Sequence, residues 1–229
     1  MFDKLFRTLP DFKGKRRLAS MMFGNTIRST EDLLVQGKYS CTYLLPNLLD
    51  NISLDIFVNG IYEQETIDLL NKLLPANGHY LDLGTNIGAI LVPLCKQRPD
   101  IRVLGVEAAP WIFEYLKKNV ALNRLDKVKV VNKALFDQDG LTIDFFSPAD
   151  KFGKGSLSPV FCDNAVKVIT AKVDSLLTEF NFGRVDAIKV DVEGFEYFAF
   201  RGAEKLLTSD AAPDIIFEFV DWAEQQAKG

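Results

Sequence analysis

Three carboxylates, Asp191, Glu193 and Glu196, fall within six residues of one another, directly after the apolar run Val185 to Val190. Crowded carboxylates repel, and that repulsion raises the pKa of at least one, which suits a general base. The structural alternative is that Glu193 and Glu196 cap the next helix and complement its dipole. Glu218, near the end of the following apolar run, is a candidate to join them.

A second constellation lies earlier, in Asp82-Leu-Gly84-Thr85-Asn86-Ile-Gly88. It follows a short strand and opens a helix. Gly84 can take a backbone conformation that a side chain forbids. Gly88 lets the chain pass close to a ligand at a helix N-terminus, where free N–H groups favour anionic or electron-rich groups. Glu107 ends the second strand, 25 residues after Asp82. An acid there is placed to accept hydrogen bonds from both hydroxyls of a ribose. The motif departs from the Gly-x-Gly-x-x-Gly of dinucleotide folds. Asp82 suits a ligand with an ammonium group, such as the methionine part of S-adenosylmethionine (SAM), and would repel a pyrophosphate.

Other chemistries lack their residues. His79 is the single histidine, and it falls at the end of its strand away from the expected cleft, which removes Ser-His and Cys-His nucleophile pairs. No Gly-x-x-x-x-Gly-Lys-Ser/Thr loop is present, nor the Asn/Asp-Pro-Pro-Tyr sequence of adenine-N6 methylation. Cys41, Cys95 and Cys162 are widely spaced and odd in number, so they form neither a metal-ligand pattern nor a disulfide framework.

The elements that must position these groups follow a strand–helix rhythm from residue 79. Strands are expected at 79–83, 102–107, 128–132, 185–190 and 214–220, with helices at about 87–97, 110–122 and after Glu196. This alternation predicts a doubly wound, mostly parallel Rossmann-like α/β sheet, with ligands beyond the carboxyl ends of its strands. A hairpin of 141–146 with 166–173 interrupts it. The Gly-, Ser- and Pro-rich stretch 147–159 between these arms reads as a lid, a binding loop or surface slack. Upstream, residues 1–59 form an N-terminal extension. Leu33 to Gln36, Tyr39 to Leu45 and Leu54 to Val58 read as short antiparallel strands, and a helix runs from Gly60 to Leu74. Residues 1–23 read as a solvated helical arm packing on the domain or on a second subunit. The alternative is an amphipathic helix that touches an anionic membrane.

A chain of 229 residues with net charge −4 buries a full core and lacks the basic character of a nucleic-acid surface. No apolar run reaches the roughly 18 residues that span a bilayer. A soluble, cytoplasmic protein is therefore expected.

The residues from about 60 to 220 resemble the FkbM-type SAM-dependent methyltransferases. The resemblance rests on Gly60-Ile-Tyr-Glu63, on Asp82 to Gly88, on Glu107 with Pro110 and Asn119, on Ala171-Lys-Val-Asp174 and on Ile188-Lys-Val-Asp191-Val-Glu-Gly194-Phe-Glu196. It implies a class I methyltransferase fold and an O-methyltransferase acting on a hydroxyl of a sugar, glycan or secondary metabolite. It implies that Glu63, Asp82, Gly84, Thr85, Asn86 and Gly88 hold the methionine end of SAM and that Glu107 and Ala108 take the ribose. Lys133 and Ala134 would lie near the adenine, and Asp191 and Glu193 would face the acceptor hydroxyl. The sheet is expected to lack the last two strands of a full class I fold. A divalent cation bridging Asp191 and Glu218 is an alternative to a carboxylate base. Two rival readings stay open: an NAD(P)-dependent oxidoreductase, and a SAM-binding protein without turnover. A homodimer through residues 1–59 is a further expectation.

Overall fold

The computed structural model describes residues 6–7, 9–10, 12–155 and 164–217. Its centre is a five-stranded parallel sheet. β3 (His79–Leu83), β4 (Arg102–Glu107) and β5 (Val128–Asn132) run outward on one side, and β9 (Ala187–Val190) and β10 (Asp214–Phe217) complete the order β10-β9-β3-β4-β5. The order reverses between β3 and β9, which makes the carboxyl ends of these two strands the place for a ligand.

Alternation along the strands feeds two layers. Tyr80, Val103 and Ala187 join one apolar cluster with α3 (Gln64–Leu73), α4 (Leu91–Gln97) and α5 (Pro110–Leu122). Leu81, Leu83, Leu104, Val106, Ile188 and Val190 join the other, with α6 (Val173–Glu179), α7 (Glu196–Gly202) and α8 (Glu204–Leu207). The doubly wound arrangement is thus present. Pro110 starts α5 at a first-turn position, where its missing N–H costs nothing.

Beside this sheet, β6 (Ala134–Leu135), β7 (Thr142–Phe146) and β8 (Ala165–Ala171) form a second one, in which β7 and β8 are the expected hairpin arms. Upstream lie α1 (Lys15–Ser29), β1 (Glu31–Gln36), β2 (Thr42–Asn47) and α2 (Asn51–Asn59). β1 and β2 pair antiparallel, from Glu31↔Asn47 to Gln36↔Thr42.

Several expectations are corrected. The strand expected over Tyr39 to Leu45 starts only at Thr42, after a 3-10 turn at Lys38–Ser40, and the helix expected from Gly60 starts at Gln64. Leu54 to Val58 lies inside a helix: the Asp50 carboxylate accepts from the Ile52 amide at 2.8 Å and starts α2, and Gly60, at φ 75°, stops it. The arm Val166 to Val173 ends at Ala171, because Val173 opens α6. There Asp139 accepts from the Lys172 amide and the Ser175 hydroxyl, both at 2.7 Å. The helix after Glu196 is broken at Ala203. At Gly202, just before the break, a Cβ would stand 2.3 Å from the Phe136 carbonyl oxygen. The expectation that the sheet lacks its last strands concerns residues 218–229, outside the described residues. Among the described residues, no helix is long and apolar enough to cross a membrane.

Candidate active site

The turn after β3 is fixed by backbone geometry. The amides of Gly84 and Thr85 both donate to the Val106 carbonyl at 3.0 Å, tying the turn to β4. Gly84 has φ 81°, and a Cβ there would sit 1.8 Å from the Asp191 carbonyl oxygen. No other residue fits. Gly88, at φ 85°, is packed differently: its Cβ would meet Leu116 and Val92 at 3.1 and 3.2 Å, so its smallness serves the contact with α5. Gly105 plays a similar part for Thr85, whose hydroxyl donates to the Asp82 carbonyl at 2.8 Å.

At the carboxyl ends of the strands lies a cavity of about 460 Å³, within the range of about 300–1,000 Å³ usual for small-ligand pockets. Of the residues singled out in the sequence, Gly84, Asn86, Glu107, Ala108, Lys133, Ala134, Asp191 and Glu193 line it. Asp82, Thr85, Gly88 and Glu63 do not, and Glu218 lies outside the described residues. Glu196 is also turned away: its carboxylate accepts from the amides of Val192 and Gly194, at 3.3 and 3.2 Å, and so closes the loop after β9.

Glu107 is 6% exposed, and each of its oxygens accepts one backbone amide at 2.8 Å, from Asn86 and from Ala109. Each oxygen keeps lone-pair capacity for a second donor. Burial pushes its carboxyl up to about 7, against the two amides that favour the charged form. Behind β4, Asn132 donates to the Glu107 and Ala108 carbonyls at 2.8 and 2.9 Å and fixes the wall there.

A buried cation escaped the sequence reading. Lys189 is 7% exposed, stands beside Asp82 in the β3–β9 register, and donates to the Asp191 carboxylate at 3.0 Å. Burial works against its charge, but Asp191 and Asp82 hold it protonated, well above the usual lysine range. Asp82 is fully buried next to Tyr80, and its Oδ1 has no hydrogen-bond partner among the described residues. Burial raises its carboxyl to about 6, even with Lys189 opposing. The signal for Lys189 was a lone charge in the apolar stretch Ala187-Ile-Lys-Val190.

The opposite wall comes from the loop after β7 and from the N-terminal extension. The Gly153 amide donates to Asp50 at 2.9 Å, and Asn47 donates to the Ala149 carbonyl at 2.8 Å. Phe152, buried, meets Trp111 edge-on at 6.1 Å, and its carbonyl accepts from the Asn86 side chain at 3.3 Å. Tyr62 lines the cavity too, its hydroxyl pushed up by burial and by Glu63. On the cavity wall, Asn86 and Glu193 sit in the left-handed region, at φ 53° and 50°. Among the described residues, no group of three His, Cys, Asp or Glu side chains is placed to hold a metal ion.

A family model described as the methyltransferase FkbM domain matches residues 82–228. Over 188 residues the chain is 26% identical to "Methyltransferase sdnD" of Sordaria araneosa, covering 69% of this chain and 71% of that one. Among solved structures, the precorrin-6y C5,15-methyltransferase of Geobacter metallireducens aligns at 14% identity and a TM-score of 0.45, over 73% of this chain and 69% of that one. A SAM-dependent methyltransferase from Thiobacillus denitrificans, in complex with S-adenosyl-L-homocysteine, aligns at 13% identity and a TM-score of 0.40, over 68% and 48%.

Proposed function

We propose which acceptor is methylated, and by which groups, from one premise: the chain belongs to the FkbM methyltransferase family and is a SAM-dependent methyltransferase. That premise sets the oxidoreductase reading aside. The acceptor is a hydroxyl of a sugar, glycan or secondary metabolite, and the reaction is O-methylation.

The residues fit the cofactor. The free lone pairs of Glu107 suit the two ribose hydroxyls, with Ala108, Lys133 and Ala134 on the adenine side. Gly84 and Asn86 would border the methionine end, while Asp82 lies behind the turn, off the cavity wall and beside Lys189. SAM supplies an electrophilic methyl group on sulfur when bound. The chain contributes positioning, which brings much of the acceleration in an in-line transfer.

The observation that carries the reading is the Asp191 carboxylate, on the cavity wall at the carboxyl end of β9 and held at one oxygen by Lys189. The other oxygen is left to take the hydroxyl proton as the acceptor oxygen gains the methyl group. Glu193 stands next to it on the same wall and is the alternative base.

Asp191→Asn is expected to lower turnover about 10²- to 10⁴-fold, as loss of a general base does, with affinity for S-adenosylhomocysteine near normal. Product formation from labelled SAM over a panel of hydroxyl acceptors measures this. Full turnover in the variant would remove Asp191 from the mechanism. Binding without transfer to any acceptor would favour a SAM-binding protein that does not turn over. Inhibition by EDTA would favour the cation route through Asp191 and Glu218.

A further inference from the structure

From Phe12 to Ser29 the chain holds five bases, Lys13, Lys15, Arg16, Arg17 and Arg28, and no acid, although the whole chain carries a net charge of −4. One side of α1 belongs to the fold. Ala19 is buried, and Phe23 and Ile27 pack on the apolar cluster that α2 joins. Lys15 is buried and donates to the Leu9 carbonyl at 2.8 Å, and Arg16 binds the Asp55 carboxylate on α2. The other side faces water. Leu18, Met21 and Met22, at helical spacing, are 38%, 78% and 56% exposed, and Phe12 is 45% exposed just before the helix. Arg17, exposed, lies four residues before Met21 on the same side of the helix, and Lys13 is exposed in the turn just before it.

An apolar strip beside exposed bases is the pattern of a helix lying in a membrane interface. We infer that α1 docks on an anionic lipid surface, with Leu18, Met21, Met22 and Phe12 entering the headgroup boundary and Lys13 and Arg17 meeting the lipid charges. Charge complementarity decides the occupant. A second copy, related by a two-fold axis through this face, would bring the exposed Lys13 and Arg17 of one copy near those of the other, with no acid in the segment to offset them. A nucleic acid would use the bases and leave the two methionines in water. An anionic bilayer satisfies both halves of the surface.

The test is co-sedimentation of the full chain with vesicles of phosphatidylcholine alone, and of phosphatidylcholine containing about 30% phosphatidylserine, at low and physiological salt. Binding is expected only to the anionic vesicles, weakening as salt rises. Neutralising two charges in K13Q/R17Q should lower the partition coefficient about 30-fold. M21D/M22D should lower it about tenfold or more, through lost apolar burial. All these side chains are exposed, so both variants should melt like the wild type, which separates loss of docking from loss of fold. No binding to anionic vesicles, or equal binding to both kinds, overturns the inference. So does a wild-type dimer that M21D/M22D turns into a monomer by light scattering, since a second copy would then be the occupant. Full vesicle binding in M21D/M22D, competed by duplex DNA, also overturns it and leaves only a polyanion patch.

Discussion

If Glu107 holds the ribose as proposed, it couples proton binding to cofactor binding. Its carboxyl is raised to about 7 by burial, whereas an exposed glutamate titrates near 4.3. A raised acid contributes stability below its unfolded pKa, and that contribution fades as pH climbs through the folded value. Without ligand, the fold therefore loses stability from about pH 4 to about pH 7, with Asp82, raised to about 6, adding in the same sense. Under that proposal cofactor binding runs the other way, because ribose hydroxyls need the charged carboxylate as acceptor. Affinity for S-adenosylhomocysteine should rise by about tenfold or more from about pH 5.5 to about pH 8, then level off. Titration calorimetry in buffers of different ionisation enthalpy would show proton release on binding. A flat profile would remove Glu107 from the ribose site. Lys189 sets the second residue-scale expectation. Replacing it by Met leaves the Asp82 and Asp191 carboxylates without their shared cation, a change that costs about 3–5 kcal/mol in a buried ion pair. Urea denaturation should show that loss, and Lys189→Arg should restore part of it. Asp82 and Glu107 were legible because each ends or nearly ends an apolar strand before a turn. Lys189 was not, because its meaning depends on pairing with a strand more than 100 residues away.

At the scale of elements, the glycine turn and the loop facing it are joined by short, specific contacts. Gly84→Ala would drive a Cβ into the Asp191 carbonyl oxygen at 1.8 Å and also forces an unfavourable φ. The expected cost is about 3 kcal/mol or more, with loss of S-adenosylhomocysteine binding, measured by thermal melting and calorimetry on one preparation. An unchanged melting temperature would mean that β3 and β9 are less tightly apposed at their ends than 1.8 Å requires. Asp50 does two jobs at once, capping α2 and holding the Gly153 amide. Sequence periodicity found β3, β4, β5 and α5 at their observed limits, because apolar runs bounded by Gly, Pro or Asn state both type and ends. It misread Leu54 to Val58, where an alternating five-residue pattern fits a strand as well as a helix turn. The deciding signals, Asp50 as a cap and Gly60 as a stop, were local but lay outside that window. The two-residue strand β6 carries no period at all, and only its pairing with Thr170 and Ala171 defines it.

Across the whole molecule, the N-terminal extension and the parallel sheet share one core. Val35, Tyr43, Leu45 and Ile56 are buried in the same cluster as Ile87, Leu91, Val103 and Ile112. The polar seam between them is made by Asn119 on α5 and by Asn123, which caps the helix one turn later. Asn119 accepts from the Leu44 amide at 2.7 Å and donates to the Leu44 and Ile87 carbonyls, at 3.3 and 2.9 Å. Asn123 accepts from the Thr42 amide at 2.8 Å and donates to the Thr42 carbonyl. Their amide groups imitate a neighbouring strand along the free edge of β2, which covers an edge otherwise open to foreign pairing. Asn119 has no exposure, so truncating it strands one buried N–H and two carbonyls. Asn119→Ala should cost about 2–4 kcal/mol, each unsatisfied buried group being worth roughly 1–3. If the shared core couples the two parts, chemical denaturation of this variant keeps a single transition, shifted as a whole, whether followed by tryptophan fluorescence or by far-UV dichroism. If the extension folds by itself, β1 and β2 detach first and the two probes separate. Coincident curves would also mean that the wall built from Asp50 and Ile52 is as stable as the sheet that carries Glu107 and Asp191.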